Sequence, residues 1–163
     1  MNADTKPRIG FIGLGLMGHG MAKNLVTKGY LLTVCAHRNR KPLADLLAAG
    51  AREVTTHAEV ARQSDIVFLC VTGSPQIESI VYGDTGLLAA ARDGLIVVDT
   101  STAEPASTAA IRRDFGATRA LFVDEALGLQ LVEHRGQNTR LRFVRLELAL
   151  QFGPGMFARA EQA

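Results

Sequence analysis

No stretch of this 163-residue sequence is apolar for long enough to cross a membrane. The longest apolar runs, such as Ile66 to Val71, are about six residues, against roughly 20 for a spanning helix. Strong charge is lacking too: a formal net charge of +2 gives little reason to expect a nucleic-acid partner. No basic run with interleaved aromatics appears either. Cysteine is scarce. Cys35 and Cys70 fall in predicted strands and read as small core residues, not as a disulfide or metal pair. A reducing, cytoplasmic setting is the expectation. The polar segment Met1 to Arg8 does not have the pattern of a secretory signal. Lysine is confined to Lys6, Lys23, Lys28 and Lys41. The apolar fraction of 47% and charged fraction of 21% are those of an ordinary globular chain, with length for one domain.

The informative stretch is Ile9 to Leu25, IGFIGLGLMGHGMAKNL. An apolar run (Ile9, Phe11, Ile12) leads into Gly13-Leu14-Gly15-Leu16-Met17-Gly18, and helix-compatible residues continue to Lys28. Strand, glycine turn and helix N-terminus form the setting in which a G-x-G-x-x-G pattern carries meaning. Gly13 lets the chain turn sharply, Gly15 removes a side chain where a pyrophosphate touches backbone, and Gly18 permits close helix packing. The free N–H groups and positive dipole end of the new helix face the anion. Met17, Met21 and Leu25 share one helical face and also read as core packing.

Downstream, strand and helix patterns alternate. Strand one is Arg8 to Ile12, followed by a helix from about Leu16 to Lys28, closed by Gly29. Tyr30 to Ala36 reads as strand two, and Pro42 stands near the start of a helix over Leu43 to Ala49. Thr56-His57-Ala58-Glu59 has capping-box spacing and opens a short helix to Gln63. Asp65 to Val71 is a continuously apolar strand, as expected when helices cover both faces of a parallel sheet. Ser74-Pro75 offers an N-cap and first-turn proline for a helix over Gln76 to Tyr82. Leu95 to Asp99 is a strand, a helix beginning between Thr100 and Pro105 reaches Phe115, and Leu121 to Asp124 is a further strand. The alternation predicts an α/β fold, a doubly wound parallel sheet in residues 1–124.

Ligands of such sheets sit beyond the carboxyl ends of the strands. Four segments are expected to converge there: Gly13 to Gly18, His37 to Lys41, Val71 to Gln76 (including Thr72 and Ser74), and Thr100 to Thr102. The end of strand two bears on the cofactor. An NAD-binding sheet usually carries an acid about 20 residues past the glycines for the ribose 2′-hydroxyl. Here the chain reads His37-Arg38-Asn39-Arg40-Lys41, with no carboxylate before Asp45. A guanidinium binds a 2′-phosphate bidentately where an acid repels it. NADP(H) is therefore favoured over NAD(H), with Arg38 as main contact and Asn39 or Arg40 assisting; the alternative is a solvated basic turn. His19 and His57 read as surface or helix residues, not catalytic ones.

Residues Phe11 to Gly18 with Met21-Ala22-Lys23-Asn24-Leu25 resemble the signature of the β-hydroxyacid dehydrogenases, which include 3-hydroxyisobutyrate dehydrogenase and 2-hydroxy-3-oxopropionate reductase. The resemblance implies a Rossmann domain in which Val71 to Gln76, with Ser74-Pro75, and Ser101-Thr102 flank the nicotinamide. Helix capping is the alternative role for Ser101 and Thr102. It covers about Pro7 to Asp124. Past that point the family's proline, serine and paired glycines, which serve the substrate carboxylate, are replaced by Glu125-Ala126-Leu127-Gly128-Leu129-Gln130.

The tail over residues 125–163 is rich in arginine, and TRLRFVRLELAL alternates like a strand, near 139–145. Two continuations stay open: a stand-in for the family's next strand, or a reading-frame change. The family's helical second domain, with its catalytic lysine and asparagine, has no counterpart here, so no catalytic residue and no metal ligand is assigned. The resemblance implies a cofactor domain of an oxidoreductase on small β-hydroxyacids or their semialdehydes, inactive by itself. A carboxylate substrate enters only if a second domain completes the site, and an oligomer is compatible with this. A non-catalytic dinucleotide-binding module, and use of the fold for partner binding alone, are the competing readings.

Overall fold

The structure, a computed structural model, describes residues 6–36 and 40–124. The expected strand near 139–145 and the whole tail from residue 125 lie outside the described residues. Largely apolar segments of four residues make the buried strands β1 (Ile9–Ile12), β2 (Leu32–Cys35), β4 (Ile66–Leu69) and β5 (Ile96–Asp99), with Thr33 and Asp99 the polar exceptions. Every residue of these four strands is buried, as continuous apolar runs require when both faces are covered. Two shorter strands, β3 (Arg52–Glu53) and β6 (Leu121–Val123), form the edges among the described residues. The order is β3-β2-β1-β4-β5-β6 and all pairings are parallel. This is the doubly wound order, with its reversal between β1 and β4.

Among the described residues five helices connect the strands: α1 (Leu16–Thr27), α2 (Lys41–Ala48), α3 (His57–Gln63), α4 (Ser74–Tyr82) and α5 (Pro105–Ala117), with a 3-10 turn at Leu88–Ala90. The core runs through the sheet: the Phe11 and Phe68 rings stack across β1 and β4 with centroids 6.0 Å apart. At the far side, Phe115 of α5 meets Phe122 of β6 at 5.7 Å. The capping box at α3 forms as its spacing predicts. Thr56 Oγ1 accepts from the Glu59 N–H at 3.2 Å, and Glu59 Oε2 accepts from the Thr56 N–H at 3.1 Å.

One expectation needs correction. Met17 does not pack in the core: it is 72% exposed, and the buried face of α1 is Gly18, Ala22, Leu25 and Val26. The cause is Gly18, whose missing side chain lets the helix press backbone against backbone, turning the buried stripe one residue away from Met17. The last helix begins at Pro105, because Glu104 remains extended and proline fixes the first helical position. The strand β3 was not expected, since two charged residues carry no readable periodicity.

Candidate cofactor-binding site

The glycine turn shows three different environments at its three glycines. Gly13 has φ +101°, a left-handed conformation, and a Cβ there would strike the Cys70 carbonyl oxygen. A Cβ on Gly18 would strike the Gly13 carbonyl oxygen and lie 3.1 Å from the Phe11 ring. At Gly15 a Cβ would meet nothing within 4 Å. Gly13 and Gly18 are therefore demanded by the fold, whereas Gly15 is not. Its lack of a side chain leaves open space in front of the α1 N-terminus.

That N-terminus is suited to an anion. Gly15 is the N-cap, no side chain caps the helix, and no acidic residue stands in the first turn. The first helical bond runs from the His19 N–H to the Gly15 carbonyl at 2.8 Å, so the preceding N–H groups of Leu16, Met17 and Gly18 point out of the turn. Leu14 is buried below, while Leu16 is 96% exposed beside Met17. A pyrophosphate fits this cradle on charge and on space, and a side chain at Gly15 would fill it.

The carboxyl ends of β4 and β5 are tied to the turn and to each other. Gly13 packs on the Cys70 carbonyl just after β4. The next residue, Val71, donates its N–H to Ser101 Oγ at 2.9 Å. Thr100 Oγ1 donates to the Leu69 carbonyl at 2.6 Å. Ser74 Oγ accepts from the Glu104 N–H at 2.8 Å, so its hydroxyl serves the N-terminal residue of the α5 entry and not α4, whose N-cap is Gly73. The expected capping roles of Ser101 and Thr102 are likewise overturned, since Glu104 is the N-cap of α5 and no side chain caps it. Ser74 and Ser101 instead lace together the two loops beyond β4 and β5. Thr72 and Thr102 stand exposed on these loops, and Gln76 stands exposed in the first turn of α4.

Beneath the laced loops lies a buried carboxyl. Asp99, at the end of β5, accepts the Ser101 N–H on one oxygen at 2.9 Å, and its other oxygen has no partner among the described residues. Burial pushes its pKa up, and the negative charge of Asp124 adds to this; the Ser101 bonds oppose it. Asp124 is itself held by Arg112, whose guanidinium reaches both carboxylate oxygens at 2.8 Å. Arg112 did not stand out in the sequence, because a helix residue twelve positions before its partner has no local signature.

The segment after β2 is described in part. His37, Arg38 and Asn39 lie outside the described residues. Arg40 is described, and its guanidinium is in an ion pair with Glu53 of β3 at 2.9 Å. His19, with Lys23, holds Asp45, at 2.9 and 2.8 Å, fastening α1 to α2. No cluster of three metal-ligating side chains occurs among the described residues. No helix among them is long and apolar enough to cross a membrane.

Comparison with known proteins agrees with this geometry. The family model of the NAD binding domain of 6-phosphogluconate dehydrogenase matches residues 8–127. The chain is 37% identical over 118 residues to 2-hydroxy-3-oxopropionate reductase of Escherichia coli, a match covering 72% of this chain and 39% of that protein. Among solved structures, Psf3 in complex with NADP+ and 2-OPP superposes with TM-score 0.65 at 31% identity, covering 70% of this chain and 40% of that one. A variant of the imine reductase of Myxococcus stipitatus in complex with NAD+ gives TM-score 0.64 at 25% identity, covering 74% and 40%. The chain thus spans about two fifths of the length of these relatives. Sheet order, glycine turn and matched span agree: the chain belongs to the family of the NAD binding domain of 6-phosphogluconate dehydrogenase.

Proposed function

We propose that residues 1–124 bind NADP(H) in preference to NAD(H), as the cofactor domain of a reductase or dehydrogenase acting on a small β-hydroxyacid or its semialdehyde. The observation that carries the reading is the asymmetry of the turn: Gly13 and Gly18 are closed by backbone, while Gly15 opens onto empty space at an uncapped helix N-terminus. In this reading Gly13 to Gly18 hold the pyrophosphate through backbone N–H groups. Val71, Thr72, Ser74, Gln76, Ser101 and Thr102 line the nicotinamide side, where the hydrogen-bonded loops hold a fixed wall. His37, Arg38 and Asn39 contact the adenosine ribose and its 2′-phosphate. The bound dinucleotide supplies hydride chemistry, and this chain supplies binding and orientation. The two free thiols, Cys35 and Cys70, support a reducing cytoplasmic setting.

Preference for NADP(H) is supported by the basic sequence after β2 and by the NADP+ carried by the Psf3 structure. A charge-assisted phosphate contact contributes about 1.5–3 kcal/mol, roughly tenfold or more in affinity. Calorimetric titration with both cofactors tests the reading on the parent, Gly15→Val and Arg38→Ala. Gly15→Val is expected to keep the parent's circular dichroism spectrum and lose both cofactors. Arg38→Ala is expected to weaken NADP(H) alone. Unchanged binding in Gly15→Val would place the pyrophosphate elsewhere, and equal parent affinities would remove the NADP assignment.

A further inference from the structure

We propose that Glu53 sets the margin by which this domain discriminates NADP(H) from NAD(H), by balancing the charge of Arg40 at the adenosine end of the sheet. The inference rests on the dinucleotide reading above. Strand β2 has no acid at its end, yet the neighbouring edge strand brings one. The register pairs Val34 with Glu53, so the last residue of β3 stands beside the carboxyl end of β2, where a doubly wound sheet receives the adenosine ribose. Glu53 is a side chain of the site's rim that arrives from a different strand than the usual one.

Its carboxylate faces the site's own groups. The Arg40 guanidinium donates to Glu53 Oε2 at 2.9 Å, with the Arg40 side chain 63% exposed and that of Glu53 27% exposed. Cys35, the last residue of β2, reports the same charge: burial pushes its thiol pKa up, and the negative charges of Glu53 and Glu59 add to this. Glu59 is already engaged by Thr55 and Thr56 in the capping box. Glu53 has Arg40. An arginine has five donors, and the pairing uses one of them, so Arg40 keeps N–H groups for a further anion while its charge is offset.

The consequence is specific to the 2′-phosphate. A dianionic group arriving near Arg40 meets a neutral pair and a like-charged carboxylate instead of a bare cation. A 2′-hydroxyl is almost indifferent to both. Glu53 therefore lowers NADP(H) affinity without lowering that for NAD(H), and Arg40 is a phosphate contact held in reserve.

Affinities for NADP+ and NAD+ are measured by calorimetry on the full chain for the parent, Glu53→Gln, Arg40→Ala and the double variant. Glu53→Gln is expected to tighten NADP+ by about three- to tenfold, the range of a partly exposed charge interaction. NAD+ affinity is expected to stay within about twofold. Arg40→Ala in the Glu53→Gln background is expected to abolish the gain, and raised salt to shrink it. A purely structural role for the pair would change both affinities together and leave their ratio unmoved, which overturns the inference. A fall in NADP+ affinity in Glu53→Gln overturns it equally. If the parent binds neither cofactor, the dinucleotide reading fails and this inference with it; parent binding with an unchanged ratio in Glu53→Gln refutes the inference alone.

Discussion

The side-chain oxygen of Ser101 accepts the backbone N–H of Val71 at 2.9 Å, which joins the loop beyond β5 to the loop beyond β4. The bond spans thirty positions of sequence and replaces a partner that no strand supplies, since β4 ends at Leu69. Ser101→Ala would leave the partly buried Val71 N–H unpaired, at a cost of about 1–3 kcal/mol. Thr102→Ala, at an exposed neighbour, is expected to stay within about 0.5 kcal/mol of the parent. Urea unfolding of the two variants separates them, and equal midpoints would show that the bond contributes little.

The glycines of α1 should respond to alanine in opposite directions. At Gly18 a Cβ strikes the Gly13 carbonyl, which is backbone and has nowhere to retreat without moving the turn. A loss of about 1–3 kcal/mol or more is expected, as for other overpacked sites. At Gly20 a Cβ meets nothing within 4 Å on an exposed face. Gly20→Ala is therefore expected to stabilise by about 0.5–1 kcal/mol, the helical penalty of glycine. Thermal melting of both variants checks this, and a destabilised Gly20→Ala would contradict the packing described.

Asp99 gives a pH signature of unusual sign for a carboxylate. Burial raises its pKa in the folded state above the unfolded value of about 3.9. The folded chain then binds the proton more tightly than the unfolded chain. Its contribution to stability is complete below about pH 3.9 and is lost as pH rises through the folded value. Asp99→Asn removes that loss. Relative to the parent, the variant should gain stability as pH rises above about 3.9, measured by urea unfolding at each pH. A difference that stays constant, or that moves in the parent's favour, would mean the carboxyl is ionised in the fold at no cost.

The chain by itself is expected to show little or no dehydrogenase activity. In the proposed binding mode all four lysines are placed away from the nicotinamide side. Lys6 sits on the Tyr30 ring and the Lys28 carbonyl, before β1. Lys23 is paired with Asp45, Lys28 follows α1, and Lys41 opens α2. A positioned acid–base group typically contributes 10²–10⁴-fold, and no lysine stands where it would act. The assay follows NADPH absorbance with short hydroxyacids and semialdehydes. Turnover above about 1 s⁻¹, the low end of ordinary enzymes, would reveal a catalytic group supplied from outside residues 6–124.

The sequence alone determined the strand–turn–helix at Ile9 to Leu25, the four buried strands and the capping box at Thr56 and Glu59. Each is local: a run of apolar residues, a glycine spacing or a four-residue motif states its own conformation. The family signature in the glycine turn was readable for the same reason. Only the tertiary structure decided what the side chains at the strand ends do. Met17 turned outward because Gly18 meets the Gly13 carbonyl, an approach set by the helix docking on the sheet. Ser74 and Ser101, which have the composition of helix caps, are partners of Glu104 and Val71 because parallel strands bring loops thirty residues apart side by side. Glu53 became a neighbour of Arg40 through a two-residue edge strand that has no periodicity to read. Contacts across a parallel sheet depend on register and crossover, and a linear pattern of residue types does not encode either of them at a single position.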